Sequence, residues 1–235
     1  DGFLKAKNSD RMKFYLMWAN HDAVALWDKR NSYDLSTVVW DGGVAMDEFR
    51  RAMRRVIEKY FHQPNYYTID GKPVFMIYDV PKLVSGLGGI DAAREAIAWF
   101  REECVRSGLP GLHLQFTMWN EKCTNLSGVD GVKTVSAKEF GNLGFDSCSH
   151  YQFVHFLNID RSYEDLLPEV EAEWKRLESE FDFPYFPHVS VGWDNNPRFN
   201  DFRPGVMKNC TPENIERALR MARDYADRHP EQPPL

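Results

Sequence analysis

The sequence predicts an α/β fold of the (β/α)8 TIM-barrel type, of which about five strand-plus-helix units are present. Short apolar stretches alternate along the chain with amphipathic helical stretches, which is the pattern of parallel strands covered by helices. No Gly-x-Gly-x-x-Gly or Walker loop follows any predicted strand, and this disfavours the doubly wound, nucleotide-binding alternative. Polar and aromatic residues instead recur where several different strands end, which is where barrel enzymes build their sites.

The first three units are predicted from apolar runs. A strand spans 13–20, and a long loop separates it from a helix near 45–61. The second strand spans 73–79 after an Asp-Gly-Lys turn, and Asp91 is placed to cap the helix that follows. The third strand spans 112–120. Apolar residues three and four positions apart predict that one face of each helix packs on the sheet.

The last two units complete the visible pattern. A short helix near 136–142 leads to a fourth strand at 145–151, and the next helix carries an apolar stripe from Leu166 to Phe181. The fifth strand is predicted in His188-Val-Ser-Val-Gly-Trp, and Thr211-Pro212 is typical of a helix start. No linker divides residues 1–235, so we expect a single domain, a partial barrel.

Composition limits the partners of the chain. The net charge is −6 and the basic residues are scattered, which argues against nucleic acid. The apolar runs are shorter than the ~20 residues of a membrane helix, so no membrane segment is expected. The four cysteines are too widely spaced for a Cys-x-x-Cys site; buried thiols are the expectation and a disulfide is left open. The histidines show no metal spacing, so neither a metal nor a cofactor is predicted.

Aromatic residues make up 14% of the chain, and five tryptophans stand next to or near Asn or Asp. These pairs are Trp18 with Asn20, Trp27 with Asp28, Trp40 with Asp41, Trp119 with Asn120, and Trp193 with Asp194. Aromatic rings stack on sugar faces, whereas carboxylates and amides bind hydroxyl groups. The pattern therefore points to an oligosaccharide or polysaccharide as the partner.

Candidate site residues follow from the predicted strand ends. The candidate catalytic carboxylates are Asp194 and Glu121, because glycoside cleavage uses two carboxyl groups. The candidate substrate-binding residues are Trp18, Asn20, Tyr78, Trp119, Asn120, His150, Trp193, Asn195 and Arg198.

Structural alternatives stand beside these functional interpretations. Asp194 and Asn195 could cap the Asn-Pro turn, and Arg198 could simply pair with Asp194. His150 could be a hydrogen-bonded structural histidine, and Tyr78 could belong to the core. For Asp146, burial beside an arginine or a backbone donor is preferred over a functional role.

Four motifs carry a resemblance to a known family. In chain order they are FYLMWAN, DGKPVFMIY, LGFDS and VGWDNNPR. Together they resemble the glycoside hydrolase family 99-like domain, also called the WbsX-type glycosyltransferase-like domain, over residues 14–235. Where that family commonly has Glu after the Trp-Ala-Asn of the first motif, this chain has His21.

The resemblance implies a (β/α)8 barrel that acts on glycosidic bonds and is similar to the endo-α-mannosidases. It implies that the loop containing Trp193 lines the sugar site. It also implies that two strands precede Asp1, and that the acidic pair, in a motif like Trp-Asn-Glu-Trp-x-Glu-Gly, lies on a last strand beyond Leu235. The predicted function is thus glycoside hydrolysis by carboxylate acid/base catalysis. The alternatives are a glycosyltransferase of surface-polysaccharide assembly and a non-catalytic carbohydrate-binding barrel. The compartment is left open, with an extracytoplasmic location expected for a hydrolase.

Overall fold

The computed structural model describes residues 2–25, 30, 34, 36–118 and 142–233. Within these ranges the strands are β1 (Leu16–Trp18), β2 (Ala23–Val24), β3 (Val38–Trp40), β4 (Thr68–Ile69), β5 (Lys72–Ile77), β6 (His113–Met118), β7 (Ser147–His150) and β8 (Tyr185–Phe186). The α-helices are α1 (Met46–Val56), α2 (Val80–Leu87), α3 (Ile90–Arg106), α4 (Tyr163–Glu180) and α5 (Pro212–Arg228). A π-helical turn, Ile57–Phe61, continues α1.

Five of these strands form one parallel sheet in the order β1-β5-β6-β7-β8. Each strand therefore lies beside the next parallel strand along the chain. A doubly wound sheet would reverse this order at its middle, whereas a barrel adds strands in one direction. The single direction of winding agrees with the predicted barrel-type fold.

The outer face of the sheet packs on the helices. Strand residues such as Phe75, Phe116 and Tyr185 share one buried apolar core with the stripes of the helices. Phe75 meets Phe100 of α3 edge to face, with ring centroids 5.6 Å apart. Each fully buried phenylalanine of this kind contributes about 1.5–3 kcal/mol through the apolar surface it removes from water. Phe49 and Trp174 of the predicted helical stripes are confirmed as core, whereas Leu219 of the last helix, also predicted on an apolar side, is exposed.

In β6 and β7 the inner face of the sheet, opposite the helices, is polar although it is buried. Ser147 Oγ lies 2.7 Å from His113 Nε2 and accepts a hydrogen bond from Gln115 Nε2 at 3.1 Å. The hydroxyl of Tyr15 donates to Gln115 Oε1 at 3.3 Å. These contacts satisfy groups that would otherwise be costly to bury. The inner face is thus polar at β6, whereas Val74 and Phe186 make it apolar at β5 and β8.

Several local expectations hold. The side chain of Asp146 accepts hydrogen bonds from Arg101 at 2.6 Å and from the Leu114 N–H at 2.7 Å, as its structural interpretation requires. The hydroxyl of Thr211 caps α5 by accepting from Asn214 N at 3.3 Å. Among the described cysteines, Cys104 and Cys148 are buried and Cys210 is partly buried.

Three expectations require correction. Asp91 does not cap α3; Gly89 occupies the N-cap position and Asp91 lies within the first turn. The long loop after β1 contains an antiparallel hairpin, in which β2 pairs with β3. An additional short helix, α2, follows β5 and is capped by the side chain of Asp79. The predicted helix near 136–142 lies almost entirely outside the described residues.

The predicted fifth strand is also displaced. The strand that pairs with β7 is Tyr185–Phe186, and Pro187 follows it directly. Proline has no N–H to donate to a strand ladder, so the pairing ends there. Ser190 instead accepts a hydrogen bond from the Phe153 N–H and, through its carbonyl oxygen, another from the Tyr163 hydroxyl. The segment runs as a loop that is held to the body of the protein by Ser190.

Candidate functional site

Five aromatic side chains form a continuous series across the carboxyl ends of the parallel strands; we call it the carboxyl-edge row. It runs from His21 to Tyr78, Tyr151, His155 and Trp193. Successive ring centroids are 5.3, 5.2, 5.6 and 6.1 Å apart. All five side chains are only partly buried. The row is therefore a half-exposed aromatic surface at the edge where barrel enzymes bind their substrates.

Strand geometry explains why these rings meet. Tyr78 and Tyr151 directly follow β5 and β7 and continue the inner-face alternation of those strands. Both tyrosines therefore project from the inner side, where their rings meet at 90°. The ring of His155, in the turn after β7, then stacks on Tyr151 at 26°. Sequence reasoning omitted Tyr151 and His155, although the alternation of polar and apolar residues in β7 predicts the side on which Tyr151 lies.

Two of the predicted sugar-binding residues lie elsewhere. Trp18 pairs in register with Ile77 on the outer face, and its ring packs against Phe49 of α1, 6.1 Å away. Asn20 is only 2% exposed, and its amide exchanges two hydrogen bonds with the backbone of Asp79. Trp18 thus joins the helix-covered core, and Asn20 joins two strand ends. Neither is brought to the carboxyl-edge row as a ligand-facing group.

His150 is enclosed. The side chain is buried, with Nδ1 2.7 Å from the hydroxyl of Tyr185 and Nε2 3.4 Å from the carboxylate of Glu173. Burial lowers the pKa of His150, which favours the neutral ring at neutral pH. This environment matches the structural interpretation of His150, so we leave it out of the candidate site.

Trp193 lies at the end of the row, and the residues after it form a tight turn. Asp194 is exposed, and its Oδ1 accepts hydrogen bonds from both the backbone N–H and the side-chain amide of Asn196, each at 2.7 Å. These bonds lower the pKa of Asp194. Arg198 Nη1 donates to Asn195 Oδ1 at 3.4 Å. Asp194 therefore has the turn-capping geometry, beside the row and charged at neutral pH.

The other predicted residues of the third strand end, Trp119, Asn120 and Glu121, lie outside the described residues. The end of β6 still bears on the site, because the Tyr151 N–H donates to the Met118 carbonyl oxygen at 3.2 Å. The end of β6 therefore lies next to Tyr151 in the row.

A charged cluster lies at the His21 end of the row. The ammonium of Lys82 is 2.7 Å from Asp22 Oδ1 and 2.8 Å from Asp41 Oδ1. Hydrogen bonds to these two carboxylates raise the pKa of Lys82. We call these three residues the Asp-Lys-Asp cluster. Sequence reasoning missed it, since its members are far apart in the chain.

Asp79 lies next to Tyr78 and differs electrostatically from Asp194. Burial raises the pKa of Asp79, although the hydrogen bond from the Lys82 N–H and the nearby ring of His21 oppose the shift. One carboxyl oxygen, Oδ1, accepts that N–H at 2.8 Å. The row is thus flanked by one carboxyl group with a raised pKa, Asp79, and one with a lowered pKa, Asp194.

The described residues contain neither a metal-binding cluster nor a membrane-spanning helix. No group of three or more His, Cys, Asp or Glu side chains there could hold a metal ion. No helix in the same ranges is long and apolar enough to cross a membrane.

Comparison with solved structures identifies the fold. The GH99 endo-alpha-mannosidase from Bacteroides thetaiotaomicron matches with a TM-score of 0.50 and 14% identity, over 77% of this chain and 47% of that one. A structure described as a glycoside hydrolase-like protein matches with a TM-score of 0.46 and 20% identity, over 83% of this chain and 52% of that one. This chain therefore spans about half the length of the structures it matches. The mostly parallel sheet with alternating helices is an α/β fold similar to the GH99 TIM barrel.

Sequence comparison gives the family. No curated protein sequence matches this chain. The family described as "Glycosyltransferase WbsX" matches residues 1–234, almost the whole chain. The protein is therefore a member of the glycosyltransferase WbsX family, with a fold like that of the GH99 barrel.

Proposed function

We propose that this chain carries the sugar-binding face of a glycoside hydrolase that cleaves glycosidic bonds within a complex glycan. The observation that carries the proposal is the carboxyl-edge row. Five half-buried rings lie in series in the segments that follow the parallel strands β1, β5, β7 and β8, with successive ring centroids 5.2–6.1 Å apart. A pyranose ring has an apolar face of C–H groups that is attracted to the negative face of an aromatic ring. A row of such rings suits several successive sugar units.

Hydrolysis also requires carboxyl groups in two different protonation states. Asp79, whose pKa is raised by burial, suits the proton donor to the leaving oxygen. Asp194, whose pKa is lowered by the bonds from Asn196, suits a permanently charged group that binds hydroxyls or stabilises positive charge. Glu121, next to the end of β6, remains a proposed second catalytic carboxylate.

Glycosyl transfer is the second candidate, and the description of the family favours it. A transferase binds an activated donor, such as a nucleotide sugar, beside an acceptor glycan. The same aromatic row would then hold the acceptor. The two reactions differ in whether water or a sugar hydroxyl receives the glycosyl group.

The test uses the protein at its full natural length with α-linked manno-oligosaccharides, from disaccharide to hexasaccharide. Mass spectrometry follows new reducing ends, and a parallel reaction with nucleotide sugars follows chain extension. Hydrolysis supports the proposal; extension that requires the nucleotide sugar replaces it with transfer; binding without turnover replaces it with a non-catalytic barrel. An absence of both binding and turnover with this panel would overturn it.

Variants connect the reaction to the row. Tyr78→Ala should weaken oligosaccharide binding by about tenfold, since it removes a central ring of the series. Asp79→Asn keeps the helix cap, because Asn is as good an N-cap as Asp, but it cannot donate a carboxyl proton. We expect turnover in this variant to fall by about 100-fold or more with binding unchanged. Val105→Ala, at an exposed position of α3, is the matched control and should change neither.

A further inference from the structure

The hairpin after β1 displays apolar side chains to solvent. In β3, Val39 is 71% exposed and Trp40 is 74% exposed. The hairpin has two short strands, in which Trp40 pairs with Ala23. A two-stranded ribbon of this kind gains little stability by itself. Its exposed indole is therefore not explained as part of a hydrophobic core. Three consecutive exposed apolar residues, Val38, Val39 and Trp40, at the rim of a candidate binding site point to a surface for a ligand.

The base of the hairpin is fixed to the carboxyl end of β1. A Cβ atom on Gly42 would lie 2.4 Å from the carbonyl carbon of His21, so only glycine allows this approach. The Gly42 N–H also donates to Asp22 Oδ1 at 2.8 Å. Trp40 is two residues from Gly42 and pairs with Ala23, which is two residues from His21. Strand geometry therefore places the backbone of Trp40 roughly 10 Å from that of His21, the first member of the carboxyl-edge row.

Hydrogen-bonding groups follow Trp40 directly in the chain. Asp41 follows Trp40 in the chain, and its side chain is largely exposed while Oδ1 contacts Lys82 and the Gly43 N–H. Its pKa is lowered by the hydrogen bond from Lys82, so the carboxylate is charged at neutral pH. The Asp-Lys-Asp cluster, which offers acceptors and a donor, thus includes the residue that follows Trp40. A sugar ring offers the complementary arrangement, with an apolar face and a rim of hydroxyls.

We propose that Trp40 and the Asp-Lys-Asp cluster form an outer subsite for a neutral hexose unit of the glycan that lies along the carboxyl-edge row. This proposal rests on the proposed function and adds a second contact point on the same ligand. The hexose stacks on the indole, and its hydroxyls bind the free acceptor positions of Asp41 and Asp22.

Charge decides which class of sugar fits. The cluster holds two carboxylates against one ammonium, so it carries a net negative charge. The whole chain is negative as well, at −6. Uronic-acid, sulfated and phosphorylated units are therefore repelled, whereas neutral hexoses are not. The negative cluster likewise disfavours a second copy of this chain as the occupant, since two copies would meet like charges.

The experiment measures binding by calorimetry with the same neutral oligosaccharides, ordered by length. Trp40→Ala should weaken binding of the longest oligosaccharides about tenfold and leave the disaccharide unchanged, because only a long ligand reaches from the row to the hairpin. Trp40→Phe should restore most of the loss. Val39→Ala, at the neighbouring exposed position, is the control for general disturbance of the hairpin. The thermal midpoint of each variant confirms that it is folded.

The outcomes separate the two proposals. Equal effects of Trp40→Ala at all ligand lengths, or no effect while Tyr78→Ala weakens binding, would overturn the outer subsite and leave the proposed function in place. Tighter binding of oligogalacturonides than of neutral sugars would overturn the charge argument. If Trp40→Ala changes only the molar mass in solution, the occupant is a second copy and the proposal is wrong. If the unaltered protein binds none of these oligosaccharides, both proposals fall.

Discussion

Asn20 and Asp79 are 59 residues apart and joined by two hydrogen bonds at the carboxyl ends of β1 and β5. Asn20 Nδ2 donates to the Asp79 carbonyl oxygen at 2.7 Å, and the Asp79 N–H donates to Asn20 Oδ1 at 2.9 Å. One amide therefore satisfies both backbone groups of a residue at which a strand turns into a helix. The same clamp holds Tyr78, next to Asp79, in the carboxyl-edge row.

Asn20→Asp should destabilise the protein although the shape of the side chain is kept. An aspartate at this position loses the donor and sets a buried charge against the Asp79 carbonyl oxygen. We expect the free energy of unfolding at pH 7 to fall by about 3 kcal/mol. The deficit should shrink at low pH, because a protonated carboxyl group can donate again. Urea unfolding at two pH values measures it.

Asn8→Asp is the control for this substitution. Asn8 is exposed and its side chain makes no capping hydrogen bond. Its free energy of unfolding should stay within about 0.5 kcal/mol of that of the unaltered protein. Equal losses at both positions would show that the two hydrogen bonds of the Asn20 side chain contribute nothing to stability.

Gly42→Ala should also be costly. The new Cβ would meet three backbone atoms, at 2.4 and 2.5 Å in His21 and at 2.7 Å in Asn20. Backbone cannot rotate away as a side chain can, so the hairpin base must shift. We expect a loss of about 2 kcal/mol in the free energy of unfolding. Gly2→Ala, where nothing lies within 4 Å of the new Cβ, should be neutral, and a neutral Gly42→Ala would mean that the hairpin is not seated on β1.

The faces of the sheet were predictable from sequence in β6 and β7 but not in β1. In β6, polar Gln115 and Thr117 alternate with apolar Leu114 and Phe116. This alternation predicts one face that packs in the core and one face that is polar. Strand β1 has apolar side chains on both faces. Its sequence therefore gives no signal that Trp18 turns toward the helices and away from the site.

The candidate site was only partly predictable because its members meet through the fold. The strand ends and Trp193 were predicted from polar residues that follow apolar runs. The contacts of Lys82 with Asp22 and Asp41 span 60 and 41 positions, and no local pattern encodes them. The displacement of the fifth strand has a local cause, Pro187, which ends the strand pairing. The sequence alone did not predict this effect, because it depends on which residues pair in the ladder.

Ser190→Ala should loosen the loop that carries Trp193. Ser190 is 1% exposed, and its Oγ accepts the Phe153 N–H at 2.9 Å. Removal of the hydroxyl leaves that buried N–H without this partner, which costs about 1–3 kcal/mol. Thermal unfolding measures the loss, and oligosaccharide binding should weaken with it, because Phe153 begins the turn that holds His155. Ser179→Ala, at an exposed serine of α4, should change neither quantity.

Stability should fall as the pH decreases from about 6.5 toward 5, because three histidines in one region resist protonation. Burial, together with the neighbouring His150 and His155, lowers the pKa of His188 to about 4. Burial also lowers the pKa values of His150 and His155 themselves. The unfolded chain binds protons near pH 6.5 that the folded protein binds only at lower pH, so acid favours unfolding. Each such histidine adds up to about 1.4 kcal/mol per pH unit to the slope of the free energy of unfolding against pH. Carboxylates add little to this slope above pH 5.

His188→Gln tests the assignment of this slope. The variant removes one proton-binding group. The slope of the free energy of unfolding against pH between 5 and 6.5 should therefore decrease by the equivalent of up to one bound proton. His229 is the control of opposite sign: burial lowers its pKa, but bonds to the Tyr225 carbonyl and to Glu178 outweigh burial and raise it. His229 therefore stabilises the fold most below pH 6.5 and loses this contribution as the pH rises through its raised pKa. His229→Gln should thus lower the free energy of unfolding by a nearly constant amount below pH 6.5 and leave the slope between pH 5 and 6.5 unchanged. A slope that His188→Gln also leaves unchanged would assign the pH dependence to other groups.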